Sequence, residues 1–168
     1  MAVNIADGAA KDTIPTWNVE TGPAIWLTPD GKKLISGSKK IFKAPDYTTN
    51  LFTLDLPIVG SLDVNQHVIK SLDFCETLNS YFVVSSDYFW TAYNSETIYQ
   101  IDAESYSTTK SVKVQPYPGF ISNRDNPRMD IHHIFPNNLG TKLFTFKNVP
   151  YDFEMDKWSL EIIDLPLK

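Results

Sequence analysis

The sequence predicts an all-β fold built from three successive antiparallel units, and two observations lead to this prediction. Short runs of alternating apolar and polar residues recur along the chain, as expected for half-buried strands. Clusters of Pro, Asp, Asn and Gly separate these runs at intervals too short for a helix. With 168 residues, of which 42% are hydrophobic, the chain has the size and composition of one globular domain.

The first unit contains the strongest turn signal of the chain, Thr28-Pro29-Asp30-Gly31. Proline presets φ at the first central position of a turn, Asp bonds to its own backbone, and Gly accepts a positive φ. The apolar runs on either side are therefore predicted to form a β-hairpin. The four strands of this unit are predicted at residues 24–27, 32–37, 40–44 and 51–56, the last one closed by a proline.

The same pattern recurs twice, so that three units are predicted at about residues 22–62, 67–115 and 129–168. A turn through residues 136–140 (Pro-Asn-Asn-Leu-Gly) occupies the place in the third unit that the Pro-Asp-Gly turn occupies in the first. The strands of the second unit are predicted at residues 69–74, 81–86, 97–102 and 110–114. The strands of the third unit are predicted at residues 131–135, 142–146 and 158–164.

Residues 64–75 carry a pattern that fits either a strand or a helix. Val64, Val68, Leu72 and Cys75 are spaced at i, i+4, i+8 and i+11, which places them on one helical face. The alignment of the second unit with the other two instead favours a strand. We therefore predict a strand here.

Repeated four-stranded meanders of about 40 to 55 residues are typical of β-propeller blades. Residues 27–35 (Leu-Thr-Pro-Asp-Gly-Lys-Lys-Leu-Ile) resemble the turn of TolB-like and YVTN-type propeller repeats. Residues 41–46 and 98–102 resemble the third blade strand of the same families. The resemblance implies a partial β-propeller and a non-catalytic binding or scaffold function, since propellers present loops and a central channel to their partners.

The number of predicted strands does not determine how the first and last units are completed. The third unit ends after its third strand, whereas the N-terminal segment 1–21 contains a candidate strand at residues 13–19 that is predicted to complete a terminal blade. Three blades cannot close a ring, since about four are needed. The alternatives are a fragment of a larger propeller, a six-bladed ring made head to tail by two chains, and an open β-sandwich.

Composition excludes several classes of function. A net charge of −5 has the wrong sign for binding nucleic acid through its phosphates, and no apolar run reaches the 18 residues that span a membrane. The single cysteine, Cys75, excludes an internal disulfide. We expect no cofactor, because no glycine-rich phosphate loop is present. The start of the chain has no signal-peptide pattern, so the protein is secreted or periplasmic only if a leader has been removed, and otherwise cytoplasmic.

The principal binding residues are predicted to be four aromatic side chains in the insertion at residues 87–95. They are Tyr88, Phe89, Trp90 and Tyr93. Flat rings bring a large contact area at a small cost in conformational entropy, so such a loop suits a protein partner, self-association or a carbohydrate. The structural alternative is that the rings fold back and cover a sheet face of the same chain.

The segment Asp130-Ile-His132-His133-Ile-Phe-Pro-Asn resembles the opening of the HNH nuclease motif. The resemblance implies a histidine that acts as general base and a divalent metal, and it suggests the alternative function of a metal-dependent hydrolase. No histidine follows position 133, so half of the metal site of that motif is missing. The simpler interpretation places His132 and His133 on opposite faces of one strand.

The polar loop before this segment offers a second candidate metal site. Asp125, Asn126 and Asp130 carry oxygen atoms of the kind that bind calcium. Their spacing does not match an EF-hand loop, which requires ligands at defined positions and a central glycine. An ordinary solvated connection is the favoured interpretation, and we expect no bound metal.

Overall fold

The computed structural model describes residues 2–4, 11–13, 24–44, 57–65, 68–86, 97–114, 130–149 and 157–167. These residues form strands and turns and no helix, so none of them belongs to a helix that could cross a membrane. The strands are β1 (Ala2–Asn4), β2 (Lys11–Thr13), β3 (Ile25–Leu27), β4 (Lys33–Ser36), β5 (Lys40–Lys43), β6 (Ile58–Ser61), β7 (Val68–Cys75), β8 (Ser80–Ser86), β9 (Thr97–Asp102), β10 (Thr108–Lys113), β11 (Asp130–Pro136), β12 (Lys142–Val149) and β13 (Lys157–Asp164).

Three antiparallel meanders follow one another along the chain, and this confirms the predicted fold class. The first sheet has the strand order β3-β4-β5-β6, and the second sheet, written in chain order, has the order β7-β8-β9-β10. The third sheet consists of β11-β12-β13. Within each sheet, every strand pairs with the next strand in sequence. Short turns join several of these pairs, such as β3–β4 and β7–β8, and let adjacent strands meet with little loss of chain entropy.

The first hairpin forms around the predicted Pro-Asp-Gly turn. The hydroxyl of Thr28 donates a hydrogen bond to Oδ1 of Asp30 (2.6 Å) and accepts one from the backbone NH of Lys33 (3.0 Å). Gly31 has a φ of 70°, which a residue with a Cβ adopts only under strain. The hydrogen bond from Thr28, followed by that from the Lys32 amide, holds the pKa of Asp30 below its usual value.

The fourth strand of the first sheet differs from the prediction. The strand that pairs with β5 is β6, residues Ile58–Ser61, which begins directly after Pro57. The predicted strand 51–56 lies outside the described residues. Pro57 has no NH to donate, but its carbonyl accepts a hydrogen bond from the Lys43 amide (3.0 Å), so it leads directly into strand β6.

Residues 68–75 of the ambiguous segment form strand β7, as predicted, whereas Val64 lies outside the strand, in the connection that follows β6. The strand pairs with β8 over its whole length, from Val68 opposite Ser86 to Cys75 opposite Ser80. A bulge between Ile69 and Ser71 interrupts the two-residue alternation. The spacing of Val68, Leu72 and Cys75 therefore belongs to an irregular strand.

The three sheets pack face to face in chain order, with the second sheet in the middle. Alternate residues of β8 belong to different cores, since successive strand side chains point to opposite faces. The core between the first two sheets contains Ile35, Ile41, Leu62, Val64, Ile69, Tyr81, Val83, Tyr99 and Ile101. The core between the second and third sheets contains Cys75, Phe82, Val84, Ile98, Val114, Ile131, Ile134, Leu143 and Leu167. The second sheet is thus covered on both sides, which an open two-sheet sandwich would not allow.

The stack also curves around the first strands of the sheets. Side chains from β3, β7 and β11 line one common groove, although the second sheet lies between the other two. The sheets therefore fan out around a common groove that is lined by the first strand of each sheet. The blades of a propeller have the same arrangement. The described part of the chain is therefore a partial β-propeller of three sheets.

The N-terminal segment contributes a short hairpin, in which β1 pairs with β2 from Ala2 opposite Thr13 to Asn4 opposite Lys11. The candidate strand at residues 13–19 lies outside the described residues, apart from Thr13. That segment 1–21 completes a terminal blade stays a prediction.

Candidate functional site

The first strands of the three sheets form a groove, which is a concave site in the described part of the chain. Its volume is about 670 Å³. It is lined by Ala24, Trp26, Lys70, Ser71, Leu72, Asp73, His133, Ile134, Phe135 and Phe146. All three sheets contribute, so the groove exists only when the sheets are stacked.

Asp73 brings a half-buried carboxyl group into this groove. Its Oδ1 accepts a hydrogen bond from the backbone NH of Phe74 (2.8 Å). Burial raises the pKa of Asp73 above its usual value, and that hydrogen bond offsets the effect only in part. Because no cationic side chain among the described residues pairs with it, Asp73 is the acidic group that a ligand in the groove would meet.

The charge of Lys70, which also lines the groove, is balanced by a neighbour. Its Nζ donates to Oδ1 of Asp130, a residue whose side chain is only 1% exposed. The other carboxylate oxygen of Asp130 lies 3.3 Å from Nε2 of His132. Asp130 is therefore a structural anion that joins β7 to β11.

The two histidines of the predicted HNH-like segment lie on the same face of the third sheet, so their predicted placement on opposite faces is wrong. A bulge between Ile131 and His133 adds one residue to β11 and shifts its alternation. His133 is opposite Phe146 in the register. The ring of His132 contacts that of Trp158 in a tilted arrangement (4.7 Å between ring centroids, 48° between planes), and Trp158 stacks on Phe146 (4.8 Å).

The geometry around His132 suits a structural role. Its Nε2 lies 3.0 Å from Oδ1 of Asn148 and 3.3 Å from Oδ2 of Asp130, so two neighbouring side chains already contact this nitrogen. Within the described ranges no three His, Cys, Asp or Glu side chains come close enough to hold a metal ion. Asp125 and Asn126 lie outside those ranges, and the hydrolase stays an untested alternative.

A second candidate surface covers the side of the third sheet that faces away from the second sheet. We call it the end face and define it by Phe135, Phe144, Phe146, Trp158, Leu160 and Ile162. The cross-strand register aligns these side chains in rows, and the rings of Phe135 and Phe144 stack at 5.5 Å. Trp158, Leu160 and Ile162 are 46%, 58% and 55% exposed. Exposed apolar surfaces of this kind are typical of contact sites, so the end face is a candidate for one.

The opposite end of the stack is also apolar, but its side chains are mainly aliphatic. We call it the first-sheet face, defined by Ile25, Leu27, Leu34, Phe42 and Ile58, whose register crosses all four strands. Ile25, Leu27 and Ile58 are each more than half exposed, whereas Phe42 is buried. The two ends of the stack therefore differ in chemistry.

The aromatic loop predicted as the binding site, with Tyr88, Phe89, Trp90 and Tyr93, lies outside the described residues, and its role stays a prediction. The sequence reasoning missed the groove and the end face. One signal was present: apolar residues at 158, 160, 162 and also 163 place hydrophobic side chains on both faces of one strand. This pattern is typical of a strand whose sheet is covered on both faces.

Comparison with known proteins gives a limited likeness. No family model matches the chain, and no curated protein matches it in sequence. Among solved structures, the chain is similar to the β-propeller domain of Cps50 (Swd1) from Myceliophteria thermophila, with a TM-score of 0.47 and 10% sequence identity. The likeness covers 88% of this chain and 40% of that one, so the chain spans less than half the length of this solved domain.

Proposed function

We propose that the protein is a non-catalytic, propeller-type interaction scaffold that assembles end to end through its sheet faces. In this assembly, the end face of one copy contacts the first-sheet face of a second copy of this chain. The observation that carries the proposal is the pair of unlike apolar faces at the two ends of one curved stack.

Unlike faces favour end-to-end contact over the packing of two identical faces. The rings of the end face offer broad flat surfaces, while Ile25, Leu27 and Ile58 offer branched aliphatic side chains that fill the spaces between rings. Within one chain the same kind of contact already occurs twice, because each sheet packs on the next. A second copy would continue this packing with the same geometry.

The curvature of the stack explains why two copies suffice. A head-to-tail contact produces a closed ring when its rotation returns to the start, and an open filament when it does not. Because the three sheets fan around a shared groove, a second stack placed on the end face curves back toward the first-sheet face of the first copy. Both apolar ends of both copies are then covered.

Analytical ultracentrifugation of the purified chain tests this proposal. We expect a particle of twice the 19.1 kDa chain mass, and a shift of Leu160→Lys to the monomer because a charge is introduced into the end face. Ser111→Lys is the matched control, since it adds the same charge to an exposed position on β10. A wild-type chain that is monomeric at every concentration would overturn the proposal.

A mixing experiment distinguishes end-to-end contact from the pairing of two end faces. Ile58→Lys damages only the first-sheet face, and Leu160→Lys damages only the end face. Each variant alone should be monomeric, while an equimolar mixture should regain one intact contact and form a weaker dimer. If Ile58→Lys alone remains fully dimeric, the first-sheet face does not contact the end face of the second copy.

The aromatic loop remains a second proposed contact, for a protein partner or a carbohydrate. It is supported by the density of rings in the sequence alone. Replacing Phe89 and Trp90 by Ala should then weaken self-association or ligand binding. If ultracentrifugation detects no change in the double variant while Leu160→Lys dissociates the dimer, the end face and not the loop forms the self-association contact.

A further inference from the structure

We infer that the groove binds the guanidinium group of an arginine side chain from a partner protein, between its aromatic walls and the carboxylate of Asp73. This inference concerns a different site from the end-to-end contact, although Phe135 and Phe146 belong to both. It therefore needs its own experiment.

The size and lining of the groove suit a side chain of this kind. A volume of about 670 Å³ lies within the range of about 300–1,000 Å³ that small-ligand sites occupy. The walls are Trp26 from the first sheet and Phe135 and Phe146 from the third. Rings attract cations over their faces, and a flat guanidinium stacks on such faces better than a compact ammonium does.

The charges in the groove also favour a cation. The positive charge of Lys70 is balanced by the buried carboxylate of Asp130. Asp73 then leaves the groove with a net negative charge, and the whole chain carries −5. A guanidinium would replace the hydrogen bonds to water that Asp73 loses on burial. Its two parallel NH groups can donate to both oxygens of a carboxylate at once.

Other classes of ligand fit less well. An acidic side chain would place two carboxylates together in a partly desolvated site, which is unfavourable. A purely apolar side chain would bury Asp73 further without compensating its charge. His133 lines the groove too, but it is exposed and can remain in contact with water.

Calorimetric titration with a blocked pentapeptide, acetyl-Gly-Gly-Arg-Gly-Gly-amide, tests the inference. The matched ligand contains citrulline, which keeps the shape of arginine and removes its charge. We expect measurable binding of the arginine peptide, at least about tenfold weaker binding of the citrulline peptide, and loss of affinity with added salt. Equal binding of the two peptides, or no binding of either, would overturn the inference.

Variants of the chain assign the binding to the groove. Asp73→Asn and Trp26→Leu should each weaken arginine-peptide binding about tenfold or more. Glu104→Gln removes the same charge from an exposed turn and should bind like the wild type. A loss of affinity in Glu104→Gln equal to that in Asp73→Asn would show that only the net charge matters.

The same samples separate this inference from the proposed assembly. Leu160→Lys, which should be monomeric, keeps all residues that line the groove and should still bind the peptide. Asp73→Asn should lose the peptide and keep the mass of the wild-type particle in ultracentrifugation. Failure of peptide binding with normal assembly contradicts the inference alone.

Discussion

The second and third sheets are built from similar strands, yet their burial differs. All seven residues of β8 are buried, because β8 packs on the first sheet through one face and on the third sheet through the other. On β13, in the third sheet, Trp158, Leu160 and Ile162 are about half exposed, while Ile163 packs against the core. Both strands carry apolar residues on both faces. The comparison teaches that the alternation of side chains along a strand assigns each residue to one face of the sheet. Whether that face becomes part of the core depends on whether a neighbouring sheet packs on it.

The largest effect should come from removing a ring between two sheets. Phe82, in the middle of β8, is fully buried, and Phe82→Ala should lower the free energy of unfolding by about 3–5 kcal/mol. Phe146→Ala removes the same ring from the end face, where it is 37% exposed, and should lower the stability of the monomer by about 1–2 kcal/mol. Urea unfolding at low protein concentration measures both. Equal losses would mean that the end face is as well packed as the core.

A smaller contrast is expected between two turn glycines that share a positive φ. Gly140 has a φ of 65°, and a Cβ there would lie 3.0 Å from Leu78 and 3.3 Å from Sγ of Cys75 in the second sheet. Gly31 has nothing within 4 Å. Gly31→Ala should lower the free energy of unfolding by about 1–2 kcal/mol through backbone strain, and Gly140→Ala by about 2–4 kcal/mol through strain and crowding. Thermal unfolding compares the two variants, and the reverse order would show that the turn beside the third sheet packs loosely.

The smallest effects concern two carboxyl groups whose pKa values shift in opposite directions. The raised pKa of Asp73 means that folding favours its protonated form, so its stabilising contribution is present below 3.8 and is lost as the pH rises through the folded pKa. Asp73→Asn should therefore increase stability at neutral pH. The lowered pKa of Asp30 has the opposite sign: its contribution is present above 3.8 and is lost as the pH falls. Asp30→Asn should decrease stability slightly at neutral pH.

Urea unfolding of both variants at neutral and acid pH checks these signs. The effect of Asp73→Asn should shrink as the pH falls below 3.8, and that of Asp30→Asn as the pH falls below its lowered folded-state pKa, because each carboxyl group is then neutral in both states. A stabilising effect of Asp73→Asn that persists at acid pH would show that shape and not charge is responsible.

Local features of the fold were predictable because they depend on neighbouring residues in sequence. The turn at residues 28–31 forms as predicted, since a hydroxyl, a carboxylate and a glycine within four positions determine its geometry. The strand that pairs with β5 follows Pro57, while the strand predicted before it, at residues 51–56, lies outside the described residues. The interpretation of the histidines was wrong because a bulge depends on how β11 aligns with β12, and single-strand alternation carries no information about it.

The sequence by itself determined the all-β class, the short antiparallel units and the faces on which apolar residues lie, because side-chain periodicity and turn chemistry act over a few residues. Tertiary structure alone decided which of these faces are covered and which side chains meet. Trp26, Asp73 and Phe135 are separated by long stretches of chain, and they line one groove only because three sheets stack around their first strands. Contacts of this kind depend on how whole sheets pack, and packing is a property of the assembled core.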